Sequence, residues 1–159
     1  MLDEVIKILE EKLQKLDEYK QISSTQLDIL KSGQDTAEDL DYDVLAECVD
    51  KKDELIVYIN NLDNTFVEKF ESIKNAVDGG IDEVSSLPEF SELQQKIKDV
   101  FSIVKDLSDQ DKIISEMMKN RFEFIKKEIK SVNDFEAKSR YLEERHEDLD
   151  KGFFLDEKK

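Results

Sequence analysis

A glutamate and a histidine near the C-terminus have the spacing of one half of a di-metal site. Glu143 and His146 form a Glu-x-x-His unit, and di-iron and di-manganese bundles bring two such units together with two further glutamates. Because the chain contains one histidine, a metal pair would need a site divided across a symmetric dimer. The same count excludes Ser-His-Asp and Cys-His catalysis except around His146, where no Ser or Cys is close in sequence. We expect a solvated helix end here, and predict no metal, no cofactor and no enzymatic activity.

Two charged stretches suggest other ligands. The acidic residues between Asp35 and Glu54 invite a calcium site, but they lack the alternating oxygen ligands and central glycine of an EF-hand loop. A basic strip with interleaved phenylalanines invites RNA stacking, and comprises Lys119, Arg121, Phe122, Phe124, Lys126, Lys127 and Lys130. We interpret the first as the acidic start of a helix. The second is interpreted as an ordinary helix surface with a Glu123–Lys127 ion pair.

The overall charge narrows the class of partner. The formal net charge is −16 and charged residues make up 40% of the chain, so we expect repulsion from nucleic acids and anionic membranes. The start of the chain has no apolar signal segment, and the longest apolar run is residues 55–59, which predicts a cytoplasmic protein. Cys48 is the only cysteine, and it is predicted to be a small buried apolar residue.

Hydrophobic periodicity predicts three long helices. The first is predicted at about residues 2–31, with a heptad seam in which Lys20 and Ser23 are polar and Tyr19 and Ile22 can cover the gap. The second is predicted at about 40–77, with two apolar stripes that suggest partners on two sides. One stripe contains Leu45, Cys48, Leu55, Ile59, Leu62, Phe66 and Ile73, and the other contains Val49, Ile56, Phe70 and Val77.

The junctions follow from glycine, proline and capping signals. Gly33 is placed just past the first helix, and Thr36 or Asp39 can cap the second. Ser86 and Glu89 have the spacing of a capping box for the third. The seam of that helix contains Leu93, Ile97, Val100, Val104, Leu107, Asp111, Ile114, Met118, Ile125 and Val132. A polar seam position at Asp111 allows a break near residues 108–111.

These features predict an all-α, elongated antiparallel bundle of three long helices, the third either continuous or broken near residues 108–111. We expect a single helical-bundle domain at residues 1–151 and a short C-terminal tail at 152–159. All four glycines and the one proline fall at the proposed junctions, so the local signals agree with the architecture.

The second helix carries a family resemblance. The run LAECVDKKDELIVYINNLDNTF, with its KK-x-E-L-I step, resembles the central segment of FlgN-type flagellar export chaperones. Tyr19 in the first helix and a long C-terminal helix rich in Lys and Glu also fit the order of elements in that family. The resemblance implies a cytoplasmic chaperone that binds the C-terminal helical segment of hook–filament junction proteins and passes them to the type III export apparatus.

Such a chaperone needs a groove for an amphipathic client helix. The C-terminal half of the chain has adaptable methionines and more apolar residues than two shorter helices can obviously cover, although these side chains could also be bundle core. The predicted client-binding residues are Met117, Met118, Phe122, Ile125, Phe135, Tyr141, Phe153 and Phe154. Phe153 and Phe154 are expected either to dock on the bundle or to bind a partner.

Other functions remain open from the sequence. Within the same class, the client could be the filament-cap protein. From another class, the chain could be a self-associating coiled-coil scaffold without a flagellar client. We expect a monomer or a homodimer, with protein clients and the export apparatus as partners, and neither nucleic acid nor membrane insertion.

Overall fold

A computed structural model describes residues 1–33 and 40–143 of the chain. Three long helices and one short helix make up this part: α1 (Asp3–Ser32), α2 (Tyr42–Ala76), α3 (Ile81–Ser85) and α4 (Phe90–Glu143). The predicted all-α fold class is confirmed, with helix ends within about two residues of the expected positions for α1 and α2, the usual scatter of such boundaries.

Contacts divide the chain into two compact units, Met1–Ile114 and Ser115–Lys159. The single domain expected over residues 1–151, with a tail at 152–159, stays a prediction.

The first unit has one apolar core to which all four helices contribute. Its residues fall at heptad spacing on α1 and α4, as the periodicity predicts. The buried members are Leu2, Val5, Ile6, Leu9, Leu16, Ile59, Val84, Leu93, Val100 and Leu107. Seam prediction therefore identified most of this core, and Cys48 is buried as expected.

Paired side chains show the helix directions. Glu4 of α1 accepts a hydrogen bond from Lys69 of α2 at 2.7 Å, and Glu11, two turns further along α1, pairs with Tyr58. Rising numbers in α1 thus meet falling numbers in α2, so the two helices are antiparallel, as the short connection between them predicts.

The second stripe of α2 is covered only in its C-terminal half. Phe70 and Val77 pack against the core, whereas Val49 and Ile56 are exposed. The N-terminal half of α2 therefore has partners on two sides, but the second stripe does not supply the contact expected of it there. The reason is that α4 meets this end of α2 through a polar pair rather than through the second stripe.

The junction between α1 and α2 uses other residues than expected. Asp41 is the N-cap of α2, and its carboxylate accepts a hydrogen bond from the Val44 N–H at 3.2 Å. Thr36 and Asp39, the predicted caps, lie outside the described residues. Gly33 does end α1, but at φ −102°. A Cβ at Gly33 would lie 1.8 Å from Leu40 Cδ2, so close packing, not a left-handed backbone, requires glycine there.

The predicted capping box at Ser86 and Glu89 is not formed. The short helix α3 ends at Ser85, so the Ser86 hydroxyl donates backwards to the Glu83 carbonyl at 2.6 Å. The first backbone bond of α4 runs from the Leu93 N–H to the Glu89 carbonyl at 3.0 Å. Ser86 therefore ends α3, a short helix that the sequence pattern does not predict, and does not cap α4.

The long helix α4 has no break at residues 108–111. It is helical throughout Phe90–Glu143, because the polar seam residue Asp111 has partners from two other helices. No helix within residues 1–33 and 40–143 is long and apolar enough to span a membrane.

Candidate functional site

The described part of the second unit is the helical stretch 115–143, which carries an apolar stripe. Met118, Phe122, Ile125, Ile129 and Val132 follow one another at spacings of four and three residues, so they share one face of α4. Phe122 is 53% exposed and Val132 is also exposed, while the other three are half-buried. This face is open to solvent at two of its five positions.

A second apolar row lies beside this stripe. Met117, Phe124 and Phe135 are separated by seven and eleven residues, which returns each to nearly the same side of the helix. Phe135 is 71% exposed, and the Arg121 guanidinium lies 5.2 Å from the centre of the Phe124 ring. The two rows lie on sides of α4 about 100° apart, with Arg121 and Glu128 between them.

The structure brings together some of the predicted client-binding residues. Met118, Phe122 and Ile125 share the first row, and Met117 and Phe135 share the second. Tyr141 lies in α4, about 100° around the helix from Phe122, and its side chain is not described. Phe153 and Phe154 lie outside the described residues, so their part in the site stays a prediction.

Charged side chains border the first row on one side. Lys119, Lys126 and Lys130 are exposed at heptad-like spacing. Glu123 and Lys127 form no ion pair with each other within the described chain, so the expected pairing is wrong. Residues 115–143 contain seven Lys and Arg against six Asp and Glu. This surface is therefore nearly neutral in a strongly acidic protein.

The first unit contains a polar cluster that joins three helices. The Tyr19 hydroxyl of α1 donates to Asp111 Oδ2 of α4 at 2.5 Å, and Lys52 Nζ of α2 donates to Asp111 Oδ1 at 2.8 Å. Lys52 Nζ also lies 4.7 Å from the centre of the Tyr19 ring. Burial, followed by the hydrogen bond to Asp111, raises the pKa of Tyr19 above its ordinary value. The cluster holds α4 in register against α1 and α2.

Sequence reasoning found only one part of this cluster. The sequence pattern marks Asp111 as a polar seam residue, but it does not identify Lys52, 59 positions away, as its partner. The available signal was the position of Lys52 between Cys48 and Ile59 on the core stripe of α2. A lysine at such a position implies a buried counter-charge.

Two buried polar residues of α1 extend the polar region. Ser23 and Gln26 are buried, and Ser23 Oγ and Gln26 Oε1 have no hydrogen-bond partner within the described residues. Ser23 was predicted on the seam, whereas Lys20 points to solvent and Tyr19 and Ile22 are half-buried in its place. The middle of α1 therefore packs with polar as well as apolar side chains, and Tyr19 and Ile22 cover the seam at Lys20 as predicted.

An open depression lies between α1 and α2 on another side of the first unit. Its lining mixes charges with two apolar residues, and consists of Lys15, Glu18, Ile22, Lys51, Glu54, Leu55 and Tyr58. Lys15 Nζ lies 4.9 Å from the centre of the Tyr58 ring. Lys15 also pairs with Glu18, and Tyr58 pairs with Glu11.

Metal ligands do not converge in residues 1–33 and 40–143, where no group of three or more His, Cys, Asp and Glu side chains could hold an ion. His146 of the Glu-x-x-His unit lies outside the described residues. The Cys48 thiol is buried, which raises its pKa and keeps it protonated. These features give no arrangement for nucleophilic or metal-assisted chemistry in the described chain.

Comparison with protein families identifies the class. The family model described as FlgN protein matches residues 1–143. The chain belongs to the FlgN family. FlgN proteins are flagellar export chaperones, and the family is not one of enzymes. No curated protein and no solved structure matches the chain. The match to the FlgN model covers all four helices and includes the apolar surface of α4.

Proposed function

We propose that this FlgN-family protein is a cytoplasmic export chaperone for hook–filament junction proteins. In this proposal the chaperone binds the C-terminal amphipathic helix of the client, prevents early assembly, and delivers the client to the type III export apparatus. Family membership supports the chaperone role. The exposed apolar surface on α4 supports a helical client.

The exposure of Phe122 and Phe135 is the observation that carries the client site. Phe122 lies in the first row and Phe135 in the second, and large exposed aromatic side chains mark protein-binding surfaces in preference to core. A client helix with apolar anchors at i, i+3, i+4 and i+7 matches the spacing of Met118, Phe122 and Ile125. Half-buried methionines can adjust to clients of different sequence.

The lysines beside the first apolar row predict which charges the client helix should have. Lys119, Lys126 and Lys130 lie along one edge of the first apolar row. A client helix with acidic residues beside its apolar stripe would complement that edge and avoid repulsion. Wrong partners with a basic edge would be disfavoured at the same place.

Calorimetric titration of the full chain tests the proposal. The titrants are C-terminal segments of the hook–filament junction proteins and of the filament-cap protein from the same organism. We expect saturable binding of a junction segment with a Kd of about 1 µM or tighter and a negative heat-capacity change from apolar burial. Binding of the cap segment alone would replace the proposed client by the cap protein.

Paired substitutions locate the site. Met118→Asp combined with Phe122→Asp should abolish client binding while the helical circular dichroism signal is kept. Val57→Asp is the matched control, because Val57 is also an exposed apolar residue of a helix, but in the first unit. Unfolding of the double variant would mean that Met118 and Phe122 are core residues, contrary to the proposal.

The tail is tested separately. Deletion of residues 152–159 removes Phe153 and Phe154 and should weaken client binding if the tail contacts the client. Unchanged affinity would remove both residues from the site. If no segment gives heat, the self-associating coiled-coil scaffold becomes the better account of this protein.

A further inference from the structure

A second exposed apolar surface lies in the first unit, on α2 and α4. Val49 and Ile56 of α2 are 41% and 43% exposed, and Phe101 and Val104 of α4 are 72% and 41% exposed. On α2, Tyr58 pairs with α1 from the opposite side of the core stripe. On α4, Lys96 pairs with Glu10 of α1, again from the opposite side of the seam. We call Val49, Ile56, Phe101 and Val104 the α2–α4 face.

The Lys52–Asp111 pair fixes the two halves of this face next to each other. Lys52 lies three residues after Val49 and four before Ile56, and Asp111 lies one heptad after Val104. The 2.8 Å bond between Lys52 and Asp111 sets the two antiparallel helices level at these residues. Because both helices rise by about 1.5 Å per residue, Ile56 is then about level with residue 107, within a turn of Val104.

Opposite charges border the two halves. Asp50 and Asp53 are exposed beside Val49 and Ile56 on α2. Lys98, Lys105 and Lys112 are exposed along α4 at intervals of seven residues, and they form no ion pair with any described residue. The face therefore has an acidic edge on one helix and a basic edge on the other.

We propose that the α2–α4 face binds the same face of a second copy in a two-fold symmetric dimer. A two-fold axis parallel to the helices places α2 of each copy on α4 of the other, so that the apolar residues of the two copies meet. The same rotation places Asp50 and Asp53 of one copy near Lys112 of the other, twice. An isologous interface requires such self-complementarity, which a face of uniform charge would lack.

The size of the face predicts a weak, reversible dimer. Val49 is about level with residue 114 of α4, so from Val49 to Phe101 the face spans about three and a half turns of two adjacent helices and would cover roughly 400 Å² of each copy. That is smaller than a standard interface and typical of weak, transient association. We expect a Kd of about 100 µM or above. The proposed dimer does not depend on the proposed client binding, because the first apolar row lies within residues 115–143 and outside the α2–α4 face.

Sedimentation velocity of the full chain tests this dimer over a concentration range that brackets the expected Kd. The wild type should shift from monomer to dimer with concentration. Ile56→Asp and Val104→Asp should each weaken association by at least about tenfold, since each places two charges in the interface. The controls are Ile113→Asp, at an exposed apolar residue on another side of α4, and Lys51→Ala, at a residue on the side of α2 that faces α1, and both should associate like the wild type.

A charge exchange provides a second test that does not alter the apolar residues. Asp53→Lys alone and Lys112→Glu alone should each weaken the dimer, and the two together should restore much of the loss. A monomer at every concentration would overturn the proposal, as would controls that weaken association as much as Ile56→Asp. Additive weakening in the double charge variant would also overturn the proposed two-fold arrangement.

Discussion

Lys52 is the most deeply buried charged group that the structure describes with an ion-pair partner, since its side chain is 9% exposed against 38% for Asp111. Burial of a charge is costly unless a counter-charge and hydrogen bonds compensate. The two partners therefore contribute unequally. Removal of Asp111 leaves a buried ammonium group, whereas removal of Lys52 leaves a carboxylate that water can still reach.

That asymmetry gives the first prediction. Asp111→Ala should lower the free energy of unfolding by about 2–4 kcal/mol, and Lys52→Met by about 1–2 kcal/mol. Urea denaturation followed by circular dichroism measures both. Lys51→Met, at an exposed neighbour, is the control and should change stability by less than about 0.5 kcal/mol. A Lys52→Met variant more stable than the wild type would mean that the dehydration of this pair outweighs its attraction.

The raised pKa of Tyr19 predicts a loss of stability in alkali. A folded-state pKa above the ordinary value of 10.0 favours the protonated phenol in the folded state. Its contribution is fully present below pH 10 and is lost as the pH rises further. The free energy of unfolding should fall as the pH rises above about 10, and Tyr19→Phe should reduce that slope. Equal slopes for both proteins would show that Tyr19 titrates normally.

For single residues, the sequence predicts burial correctly where the periodicity of one helix determines it. Cys48 falls on the core stripe of α2 and is buried, and Asp111 was recognised as a polar residue on an apolar seam. The partners Tyr19 and Lys52 were not assigned to Asp111, because they come from two other helices and periodicity carries no information about which polar residues meet. The predicted Glu123–Lys127 ion pair fails for a related reason. A spacing of four residues allows an exposed ion pair to form but does not require it.

At the scale of elements, a position can require glycine either because a neighbouring side chain packs closely against it or because of its backbone conformation. Gly33 has an ordinary negative φ, yet Leu40 occupies the space where its Cβ would be. Gly80, at the start of α3, has φ +59° and ψ −137°, a conformation that side chains disfavour. The two glycines are thus required for different physical reasons.

Alanine at each glycine separates these reasons. Gly33→Ala and Gly80→Ala should each lower the free energy of unfolding by about 1–3 kcal/mol. In a double-mutant cycle, Gly33→Ala should cost less stability in the Leu40→Ala background than in the wild type, because the methyl group then has room, whereas Gly80→Ala should cost the same in both backgrounds. Chemical denaturation measures the single variants, including Leu40→Ala, and the two double variants. A Gly33→Ala variant as stable as the wild type would contradict the close packing.

Helix boundaries were predictable because Gly33, Gly79 and Gly80 stand between strongly periodic segments. The capping box failed because α3, only five residues long, is too short for periodicity to reveal, and it uses Ser86 for its own end. The candidate site shows the same limit. Spacing placed Met118, Phe122 and Ile125 on one row, but the separate row of Met117 and Phe135 required the helix register to be followed across the whole of α4.

At the scale of the whole molecule, charge is unevenly distributed. Residues 1–114 contain 28 Asp and Glu against 13 Lys and Arg, whereas residues 115–143 are nearly neutral. The division follows the two compact units. Acidic self-repulsion therefore acts mainly within the first unit, and the predicted client surface lies where a negatively charged client would be least repelled.

This distribution predicts how salt changes stability. The ion pairs of the first unit are mostly exposed, and each contributes about 0–1 kcal/mol, which is less than the combined repulsion among many unpaired carboxylates. Screening should therefore stabilise the fold. We expect the Tm of the full chain, measured by circular dichroism at a concentration below dimer formation, to rise by several degrees between about 20 and 300 mM NaCl, where the Debye length falls well below 10 Å.

Replacing Asp99 and Asp106, both exposed on α4, with Asn should raise the Tm at low salt and reduce its dependence on NaCl. A Tm that falls with salt would mean that ion pairing, and not repulsion, dominates the electrostatics of the first unit.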